Sequence, residues 1–415
     1  MITKPRGTED ILPVDIHIWQ YIESTVRDIC ANFGYKEIRT PVFESTELFK
    51  RGVGGATDIV QKEMYTFTDK GERSVTLRPE GTASVVRSFI ENGLYNLPQP
   101  TKLYYLISCY RYEKPQKGRL REFNQFGVEC FGSNEPACDA EIISLAITLL
   151  EKLGITGLKL NINSIGCLEC RTEYNKKLIS YFNEHKGNLC ETCVTRLSKN
   201  PMRILDCKSQ VCSGIAGDAP KMIDNLCAGC QAHFEKTREH LDSCSIKYSI
   251  NPDIVRGLDY YTKTVFEITS DALGAQSALC GGGRYDGMVE ELGGSPTPGI
   301  GFALGLQRLI LILKSQEIPV PLTKQTEIFI ASIGESAGIE AQKLVFNLRK
   351  NGISAERDLL GRGLKPQMKY ADKLNAKYSL VLGDDEIVSR RANLKNMLTG
   401  ESREISIDNI LQEVL

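Results

Sequence analysis

The chain has 415 residues, more than one ordinary hydrophobic core organises, so two or three domains are expected. Hydrophobic residues make up 41% and charged residues 25% of the chain, and no apolar run is long enough to span a bilayer, which excludes a transmembrane helix. The formal net charge of −1 excludes a uniformly basic surface for nucleic acid, although it is compatible with a local basic patch.

The cysteine count and the first residues predict the compartment. The chain has 14 cysteines, and the segment Met1–Asp10 lacks the apolar core of a signal peptide. A reducing cytoplasm is therefore expected, with free thiols or metal ligands in place of disulfides.

The first predicted elements are a helix over residues 13–34 and an extended segment, Tyr35–Phe43. The helix is predicted from apolar residues at helical spacing, namely Ile16, Trp19, Ile22, Val26 and Ile29. Both elements are expected to be core scaffolding. Residues 51–58 predict a mobile glycine-rich loop, which lacks the Lys-Ser/Thr ending of a phosphate-binding loop.

A predicted strand over residues 74–80 stops at Pro79, and a predicted helix follows over residues 81–90. Glu80 and Thr82 therefore lie at a strand-to-helix junction, where a carboxylate and a hydroxyl could face a bound amine. The alternative is that they satisfy the free amides at the start of the helix. On these residues alone the second interpretation is the simpler.

The segment Ile107–Gly132 predicts two strands, Leu103–Tyr112 and Phe123–Phe131, joined by a long loop made basic by Lys114, Lys117, Arg119 and Arg121. Side chains alternate along a strand, so Gln125 and Glu129 point to one face with Gly127 between them. This pattern predicts a pocket floor that could bind a small polar ligand beneath a cationic loop. The alternative is an ordinary hairpin with a solvated polar face.

A predicted helix over residues 138–153 and a strand over residues 158–163 lead into a segment with a different composition. It contains four close cysteine pairs: Cys167 with Cys170, Cys190 with Cys193, Cys207 with Cys212, and Cys227 with Cys230. Each pair can bring two thiols to one tetrahedral zinc, so two four-cysteine sites are predicted. The pattern does not fix the grouping, and sequential pairing is the simplest assignment. Buried structural thiols or a decayed site are the alternatives.

The chain then returns to the main fold. Arg256-Gly257 predicts a turn before a strand, Tyr260–Ile268, and three consecutive glycines at 281–283 precede Arg284 and Tyr285. Such glycines bring bare backbone against a ligand or form a sharp turn. Arg308 is the one charge in an apolar run and is expected to have an anionic partner.

These changes in composition predict the domain limits. We expect a main core from residues 1–165 and 245–320, an inserted cysteine-rich module at 166–244, a linker at 321–326 and a further domain at 327–415. The last of these alternates strand and helix as βαβαβ, which predicts a small parallel or mixed α/β domain. Four basic residues are expected on its edge strands, where they would form a solvated face: Arg390, Arg391, Lys395 and Arg403.

Five segments together resemble a known family. Phe33–Pro41, Ile107–Gly132 and Gly299–Leu309 resemble the three motifs of class II aminoacyl-tRNA synthetases. Arg256–Tyr261 and Leu279–Asp286 resemble segments peculiar to the histidyl-tRNA synthetase family. The resemblance covers nearly the whole chain. It implies an α+β catalytic domain built on an antiparallel β-sheet flanked by helices, an inserted domain, a C-terminal α/β anticodon-binding domain, and a homodimer formed through Tyr35–Pro41.

The resemblance also implies the activity: ATP-dependent ligation of L-histidine to tRNA(His) through a histidyl-adenylate, with Mg²⁺ bridging the phosphates. Arg111 and Arg256 would be catalytic beside the α-phosphate, and Arg119 and Arg308 would join them in binding ATP. The residues implied for histidine are Glu80, Thr82, Gln125, Glu129, Tyr260, Tyr261, Gly281, Gly283 and Tyr285. Those implied for the tRNA acceptor end are Gln116, Lys117 and Arg121.

Two departures from the family pattern stand out. Gln307 occupies the place of a usual glutamate, which could change how Arg308 or a metal ion is held, and the paired cysteines are not a general family feature. Two other functions are compatible with parts of the sequence. One is the non-catalytic, histidine-binding regulatory subunit of ATP phosphoribosyltransferase, which shares the fold but generally lacks the C-terminal domain. The other is a zinc-stabilised nucleic-acid-binding protein with an inactive core.

Overall fold

The computed structural model describes residues 1–55, 57–205, 207, 209–254, 258–273, 278–321 and 325–414. The chain divides into two compact units, Met1–Val320 and Pro321–Leu415. The turn predicted at Arg256-Gly257, and with it the arginine implied at the α-phosphate, lies outside the described residues.

The first unit begins with short strands and helices that lead to a long hairpin. In chain order these are α1 (Ile16–Asn32), β1 (Lys36–Glu37), β2 (Phe43–Ser45), α2 (Thr46–Phe49), β3 (Tyr65–Thr68), β4 (Ser74–Leu77), α3 (Thr82–Glu91), β5 (Thr101–Tyr110), β6 (Glu122–Phe131), α4 (Pro136–Lys152) and β7 (Leu158–Ser164). The hairpin β5–β6 is the one predicted from the aromatic and β-branched residues around the basic loop.

Residues 51–54 of the glycine-rich segment after α2 are helical, so the prediction of a loop over the whole of 51–58 was wrong. Two π-helical turns, Lys50–Gly54 and Ile59–Glu63, occupy this region. The physical reason is burial, because Val53 and Ile59 pack into the core beside α3. Those apolar contacts hold the backbone in spite of the glycines.

The cysteine-rich segment follows β7 and consists of short helices. They are α5 (Leu168–Glu184), α6 (Glu191–Lys199), α7 (Gln210–Gly217) and α8 (Ala228–Ser243). Their own small core contains Tyr174, Leu178 and Phe182. The last helix has a second role, because Phe234 and Leu241 of α8 pack into the core of the main sheet.

The chain then completes the sheet. The remaining elements of the first unit are β8 (Ser249–Ile250), β9 (Thr262–Ser270), β10 (Ala278–Arg284), α9 (Met288–Glu291), β11 (Gly299–Gly305) and α10 (Leu306–Ser315). Eight strands form one sheet in the order β1-β5-β6-β11-β10-β9-β7-β8. The inner pairs are antiparallel as expected, and the two edge pairs, β1–β5 and β7–β8, are parallel, so the sheet is mixed.

The two faces of the sheet differ. One face, including Phe126, Val128 and Phe302, packs against α1, α4 and α10. The other face carries Tyr105 and Phe131, which pack with α3 in a separate core. This second face is also where the sheet leaves a large cavity, on the side to which Gln125 and Glu129 point.

A fully buried ion network ties the sheet to two helices. Arg284 of β10 and Asp139 of α4 are both 0% exposed and join through Nε and Oδ1 at 2.7 Å. His233 of α8 contacts the other oxygen of Asp139 at 2.8 Å. Such a pair is costly to bury unless it is fully hydrogen-bonded, and Arg284 also donates to the carbonyls of Ser133 and Glu135.

The second unit is a mixed α/β domain, as predicted. Its elements are β12 (Ile328–Ser332), α11 (Glu335–Lys350), β13 (Ala355–Arg357), α12 (Leu364–Lys373), β14 (Tyr378–Leu382), α13 (Asp384–Ser389), β15 (Arg391–Asn396), β16 (Ser402–Ser406) and α14 (Ile410–Val414). The strand order is β13-β12-β14-β15-β16, parallel for the first three and antiparallel for the last two. On this edge Arg391 pairs with Glu404 at 2.6 Å, and both side chains are exposed.

Candidate active site

A cavity of about 580 Å³ opens on the second face of the main sheet. Strands β6, β10 and β11 contribute its floor, and the basic loop after β5 and the segment before β9 contribute its walls. The cavity brings together eleven of the residues singled out from the sequence: Glu80, Thr82, Arg111, Arg119, Gln125, Glu129, Tyr260, Tyr261, Gly281, Tyr285 and Arg308. They divide into a carboxylate-and-tyrosine end and an arginine end.

Glu129 is the buried acceptor on the cavity floor, with 1% of its surface exposed. Tyr285 donates its hydroxyl to Oε2 at 2.5 Å, and Tyr105 donates to Oε1 at 3.2 Å. Burial raises the pKa of Glu129 to about 8, although these hydroxyl donors oppose the shift. The carboxyl group therefore holds a proton near neutral pH and can exchange it with a basic ring.

The space above Gly127 is filled by a tyrosine. The sequence predicted that this glycine leaves room for a ligand, but a Cβ at Gly127 would lie 2.1 Å from Cζ of Tyr105. A Cβ at Gly81 would lie 2.4 Å from the same ring. Strand register explains the difference, because Tyr105 pairs directly with Gly127 across the hairpin. The space above the glycine allows the Tyr105 ring to cross it, so that the Tyr105 hydroxyl reaches Glu129.

Glu80 satisfies the start of α3, which is the simpler of the two sequence interpretations. Its carboxylate oxygens accept hydrogen bonds from the backbone N–H groups of Thr82 and Ala83, each at 2.8 Å. Burial raises the pKa of Glu80, while these two bonds oppose the rise. Glu80 and Thr82 also line the cavity, so capping the helix fixes a carboxylate at the wall.

Gln125 is oriented by the same junction. Its side-chain oxygen accepts a hydrogen bond from the N–H of Gly81 at 3.2 Å. Within the described part of the chain its Nε2 has no hydrogen-bond partner, so an amide donor is available to a ligand in the cavity.

Three tyrosines form the wall next to Glu129. The ring centroids of Tyr260 and Tyr261 are 4.6 Å apart, and those of Tyr260 and Tyr285 are 5.7 Å apart. Tilted and edge-on contacts of this kind fix the positions of the rings and of their hydroxyl groups.

The residue before these tyrosines is held by the cysteine-rich segment. Asp259 accepts a hydrogen bond from Arg203 at 3.1 Å and another from Asn200 at 3.2 Å. Arg171, at the start of α5, donates to the carbonyl of Tyr261 at 3.1 Å. Sequence reasoning missed these contacts. The available signal was a lone acidic residue in an aromatic segment, which needs a partner when it is partly buried.

The opposite end of the cavity carries three arginines. Arg111 donates its Nε to the carbonyl of Pro79 at 2.8 Å, and Arg119 pairs with Glu113 at 3.3 Å. Arg308 donates to the carbonyl of Ala278. Burial lowers the pKa of Arg308, and the charges of Arg119 and Arg111 lower it further. Cations that disfavour one another at close range form a site for an anion such as a phosphate.

Gln307 does not hold the neighbouring arginine. Its Oε1 accepts the backbone N–H of Asn124 at 3.0 Å, and its Nε2 donates to the side-chain oxygen of Asn124 at 3.4 Å. Gln307, which stands where the family usually has glutamate, thus places a neutral amide against β6.

Four residues implied for histidine or for the tRNA acceptor end do not line this cavity: Gly283, Gln116, Lys117 and Arg121. Gly283 is on β10, where a Cβ would meet the carbonyl of Thr264 at 2.6 Å, so its role is close strand packing. Gln116 and Lys117 line a second cavity of about 640 Å³ beside Trp19.

Arg121 stacks its guanidinium over Tyr112, 3.8 Å from the ring centroid. Arg256, implied at the α-phosphate, lies outside the described residues. The basic loop turns its residues to two sides. Gly118 and Leu120 line both cavities, whereas Arg119 lines only the first among the residues that the structure describes.

The eight paired cysteines form two groups of four, and the sequential grouping expected from the sequence was wrong. One group contains Cys167, Cys170, Cys227 and Cys230, and the other contains Cys190, Cys193, Cys207 and Cys212. Along the chain, all four cysteines of the second group lie between Cys170 and Cys227 of the first group. The physical reason is the fold, because α5 and α8 begin side by side while α6 and α7 form a separate loop between them.

Within the described residues, no helix has both the length and the apolar composition needed to cross a membrane.

Comparison with known proteins agrees with this fold. A sequence model described as histidyl-tRNA synthetase matches residues 7–309, and one described as anticodon binding domain matches residues 327–415. The histidine–tRNA ligase of Acetivibrio thermocellus is 59% identical over all of both chains. That of Clostridium perfringens strain SM101 is 56% identical and covers 98% of this chain and 97% of its own.

Solved structures give the same result. The apo histidyl-tRNA synthetase of S. aureus superposes with a TM-score of 0.87 at 43% identity, covering 100% of both chains. A Bacillus halodurans protein described as ATP phosphoribosyltransferase regulatory subunit/histidyl-tRNA synthetase has a TM-score of 0.64 at 25% identity, covering 92% of this chain and 98% of its own.

The mixed sheet, its flanking helices and the separate α/β unit are the fold of a class II aminoacyl-tRNA synthetase. The chain belongs to the histidyl-tRNA synthetase family. The regulatory-subunit alternative is not favoured, because relatives between 51% and 59% identical over nearly the full length are ligases.

Proposed function

We propose that this chain ligates L-histidine to tRNA(His) at the expense of ATP, through a histidyl-adenylate, with release of AMP and pyrophosphate. The observation that carries the proposal is the pairing of a buried proton-holding carboxyl group, Glu129, with three arginines in one cavity. Glu129 can bind a ring that accepts a proton, and the arginines can bind a polyphosphate.

Histidine would occupy the carboxylate-and-tyrosine end. The imidazole would meet Glu129 between the tyrosine rings, and the amino group would meet the oxygens of Glu80 and Thr82 and the side chain of Gln125. A side chain without a ring nitrogen would give the buried carboxyl group of Glu129 no partner in the ligand, beyond its two tyrosine hydroxyls, which is worth about 1–3 kcal/mol of rejection. Gly281 would let the substrate lie against bare backbone.

ATP would occupy the arginine end. Arg111 would hold the α-phosphate and the histidine carboxylate, and Arg119 and Arg308 would neutralise the departing phosphates. Arg256 belongs to this set on the family resemblance. The carboxylate oxygen then attacks the α-phosphorus in line, the bond to pyrophosphate breaks, and the terminal ribose hydroxyl of the tRNA later displaces AMP from the acyl group. No protein nucleophile is needed, because orientation and charge stabilisation carry the reaction.

Mg²⁺ fits the arginine end. Glu113 and Glu267 line the cavity there, and a carboxylate that shares the ion with substrate phosphates is the usual protein ligand for Mg²⁺. Gln307 is neutral and bonded to Asn124, so these two glutamates are the residues we assign to the ion. Bound Mg²⁺ supplies neutralisation of the pyrophosphate charge.

The same proposal assigns the remaining parts. The catalytic core would comprise residues 1–165 and 245–320, the inserted module 166–244, the linker 321–326, and the anticodon-binding domain 327–415. Gln116, Lys117 and Arg121 would meet the tRNA acceptor end on the outer side of the basic loop. We place the protein in the cytoplasm, with Mg²⁺ at the phosphates and structural Zn²⁺ in the module.

A homodimer through Tyr35–Pro41 is also part of the proposal. Two apolar side chains directly after this segment are exposed, Val42 by 42% and Phe43 by 57%. A second copy of the chain would cover them, since exposed apolar surface of this kind favours association.

The test is ATP–pyrophosphate exchange with each amino acid in turn. Exchange should require histidine and Mg²⁺, and histidine esterified at its carboxylate should give none because it lacks the attacking oxygen. Absence of exchange with all twenty amino acids would overturn the proposal.

A further inference from the structure

The two cysteine groups have the spacing of metal ligands. In each group the four Sγ atoms lie within 4.8 Å of one another, with 3.5 Å between those of Cys167 and Cys170 and 3.9 Å between those of Cys190 and Cys207. A tetrahedron with Zn–S bonds of about 2.3 Å has edges of about 3.8 Å. A disulfide would need about 2.05 Å, and all eight thiols are free.

Local backbone structure prepares these sulfurs to act together. Cys167, Cys190 and Cys227 each precede a helix, and the second cysteine of each pair lies in its first turn. Negative charge on the sulfurs is favoured there, because a helix N-terminus carries partial positive charge.

Backbone donors also point at the sulfurs. The N–H of Cys227 donates to Sγ of Cys170 at 3.1 Å, and the N–H of Cys190 donates to Sγ of Cys212 at 3.2 Å. Hydrogen bonds of this type orient metal ligands and offset thiolate charge. Simple packing of buried thiols requires neither these donors nor the convergence of four sulfurs.

We propose that the module binds two structural Zn²⁺ ions in nested sites. The outer site, Cys167, Cys170, Cys227 and Cys230, joins the start of α5, just after β7, to the start of α8, the helix that packs on the main core. The inner site, Cys190, Cys193, Cys207 and Cys212, joins α6 to α7. Four thiolates close each coordination shell, so the ions are structural and bind no substrate. This inference stands on the sulfur geometry and does not depend on the aminoacylation activity.

The outer site closes a long loop. Cys170 and Cys227 are 57 positions apart, and fixing them together removes much of the freedom of the unfolded module. The core of the module is small, so metal binding supplies stability that apolar burial does not.

The first experiment counts metal in the intact protein. The full chain, purified without chelator, should contain two zinc ions by elemental analysis. Replacing them with Co²⁺ should give the absorption of tetrahedral tetrathiolate sites at two ions per chain. Iron in place of zinc, or metal below about 0.2 ions per chain in a folded preparation that also takes up no Co²⁺, would overturn the proposal.

Two matched quadruple variants test the nesting. Serine at Cys167, Cys170, Cys227 and Cys230 removes the whole outer site and should leave one intact four-sulfur site, and therefore one ion. Serine at Cys167, Cys170, Cys190 and Cys193 removes two ligands from each nested site and should abolish both. The opposite pattern would establish sequential sites. Cys244→Ser, at an exposed cysteine beyond α8, is the control and should keep two ions.

A measurement on the unaltered protein covers the case in which the variants do not fold. Slow chelation with pulses of a thiol-alkylating reagent, followed by mass spectrometry, should label the eight cysteines in two groups of four, each group appearing together. Immediate labelling of all eight before chelation would contradict metal binding. Labelling in groups that follow the chain order would contradict nesting.

Discussion

The main sheet and the inserted module bury polar atoms by different means. In the sheet, Glu129 is buried beneath two tyrosine hydroxyls, and Arg284 is buried against Asp139, within a large apolar core on both faces. In the module, eight sulfurs converge in two groups inside a small core. The sheet therefore depends on packing and hydrogen bonds, whereas we expect the module to depend on metal. We assign the chemistry to the first region, which the module contacts through Asp259.

The largest effect should come from the arginine end of the sheet cavity. Arg111→Ala should lower the rate of histidine-dependent pyrophosphate exchange about 1,000-fold, because one fixed cation beside the developing phosphate charge is lost. Its melting temperature should stay close to that of the parent protein, since among the described residues the side chain has one hydrogen bond, to the carbonyl of Pro79, and one ring contact, with Phe123. Arg73→Ala, at an exposed arginine bonded to Asp69, is the control and should exchange normally.

Removing zinc should break the module and spare the sheet. Limited proteolysis after chelation should produce cuts between residues 167 and 230, while residues 1–165 and 245–320 remain protected. The metal-loaded protein should resist under the same conditions. Uniform cleavage throughout the first unit would show that the two regions unfold together. Such coupling is the alternative outcome, because α8 packs on the main core.

Glu129→Gln tests the buried carboxyl group. The KM for histidine should rise about 100-fold, since a charge-assisted hydrogen bond worth about 3 kcal/mol is lost. A change confined to kcat, with KM unaltered, would contradict the assignment of Glu129 to the imidazole.

The same variant should change the pH dependence of stability. The pKa of Glu129 is about 8 in the fold and 4.5 ordinarily, so the folded protein holds an extra proton between these values. The contribution of this group to the free energy of unfolding then falls as pH rises from 4.5 to 8.

Glu129→Gln removes that dependence. In the absence of histidine, the melting temperature of the variant should rise relative to the parent between pH 5 and pH 8. Tyr104→Phe, which removes a hydroxyl bonded to Glu37 on the other face, should not alter the trend.

The smallest effect should come from the contact between the regions. Arg203→Ala removes a donor from Asp259, which precedes the tyrosine wall. The KM for histidine should rise about fivefold while kcat and the zinc content stay the same, because the wall is displaced and not removed. Arg203→Lys should recover part of the loss. Lys176→Ala, in an exposed pair with Glu173, is the control.

Sequence reasoning reached the features that depend on local pattern. Period-two alternation placed Gln125 and Glu129 on one face, and alternation of strand and helix gave the class of the second unit. The features it missed depend on distant pairing. Arg284 and Asp139 are 145 positions apart, and no local signal joins them. The cysteine grouping depends on α5 and α8 lying side by side, which spacing along the chain does not encode.

The position of Tyr105 shows the same limit at short range. Its ring crosses Gly127 because of the hairpin register, and register follows from the whole set of cross-strand contacts. Alternation alone identified the glycine and assigned its space to a ligand, where the structure has the Tyr105 ring.

The position of the Tyr105 ring above two glycines makes Tyr105 a residue at which substrate specificity could be engineered. Its ring fills space that two glycines, Gly81 and Gly127, keep clear of side chains, directly beside the carboxyl group that we assign to the imidazole. Replacing Tyr105 by a shorter residue would extend the cavity without moving the strands, since the facing backbone at the two glycines carries no side chains. An imidazole carrying an added alkyl or aryl group would then have a place to bind, and Glu129 would lose one of the two hydroxyls that orient it.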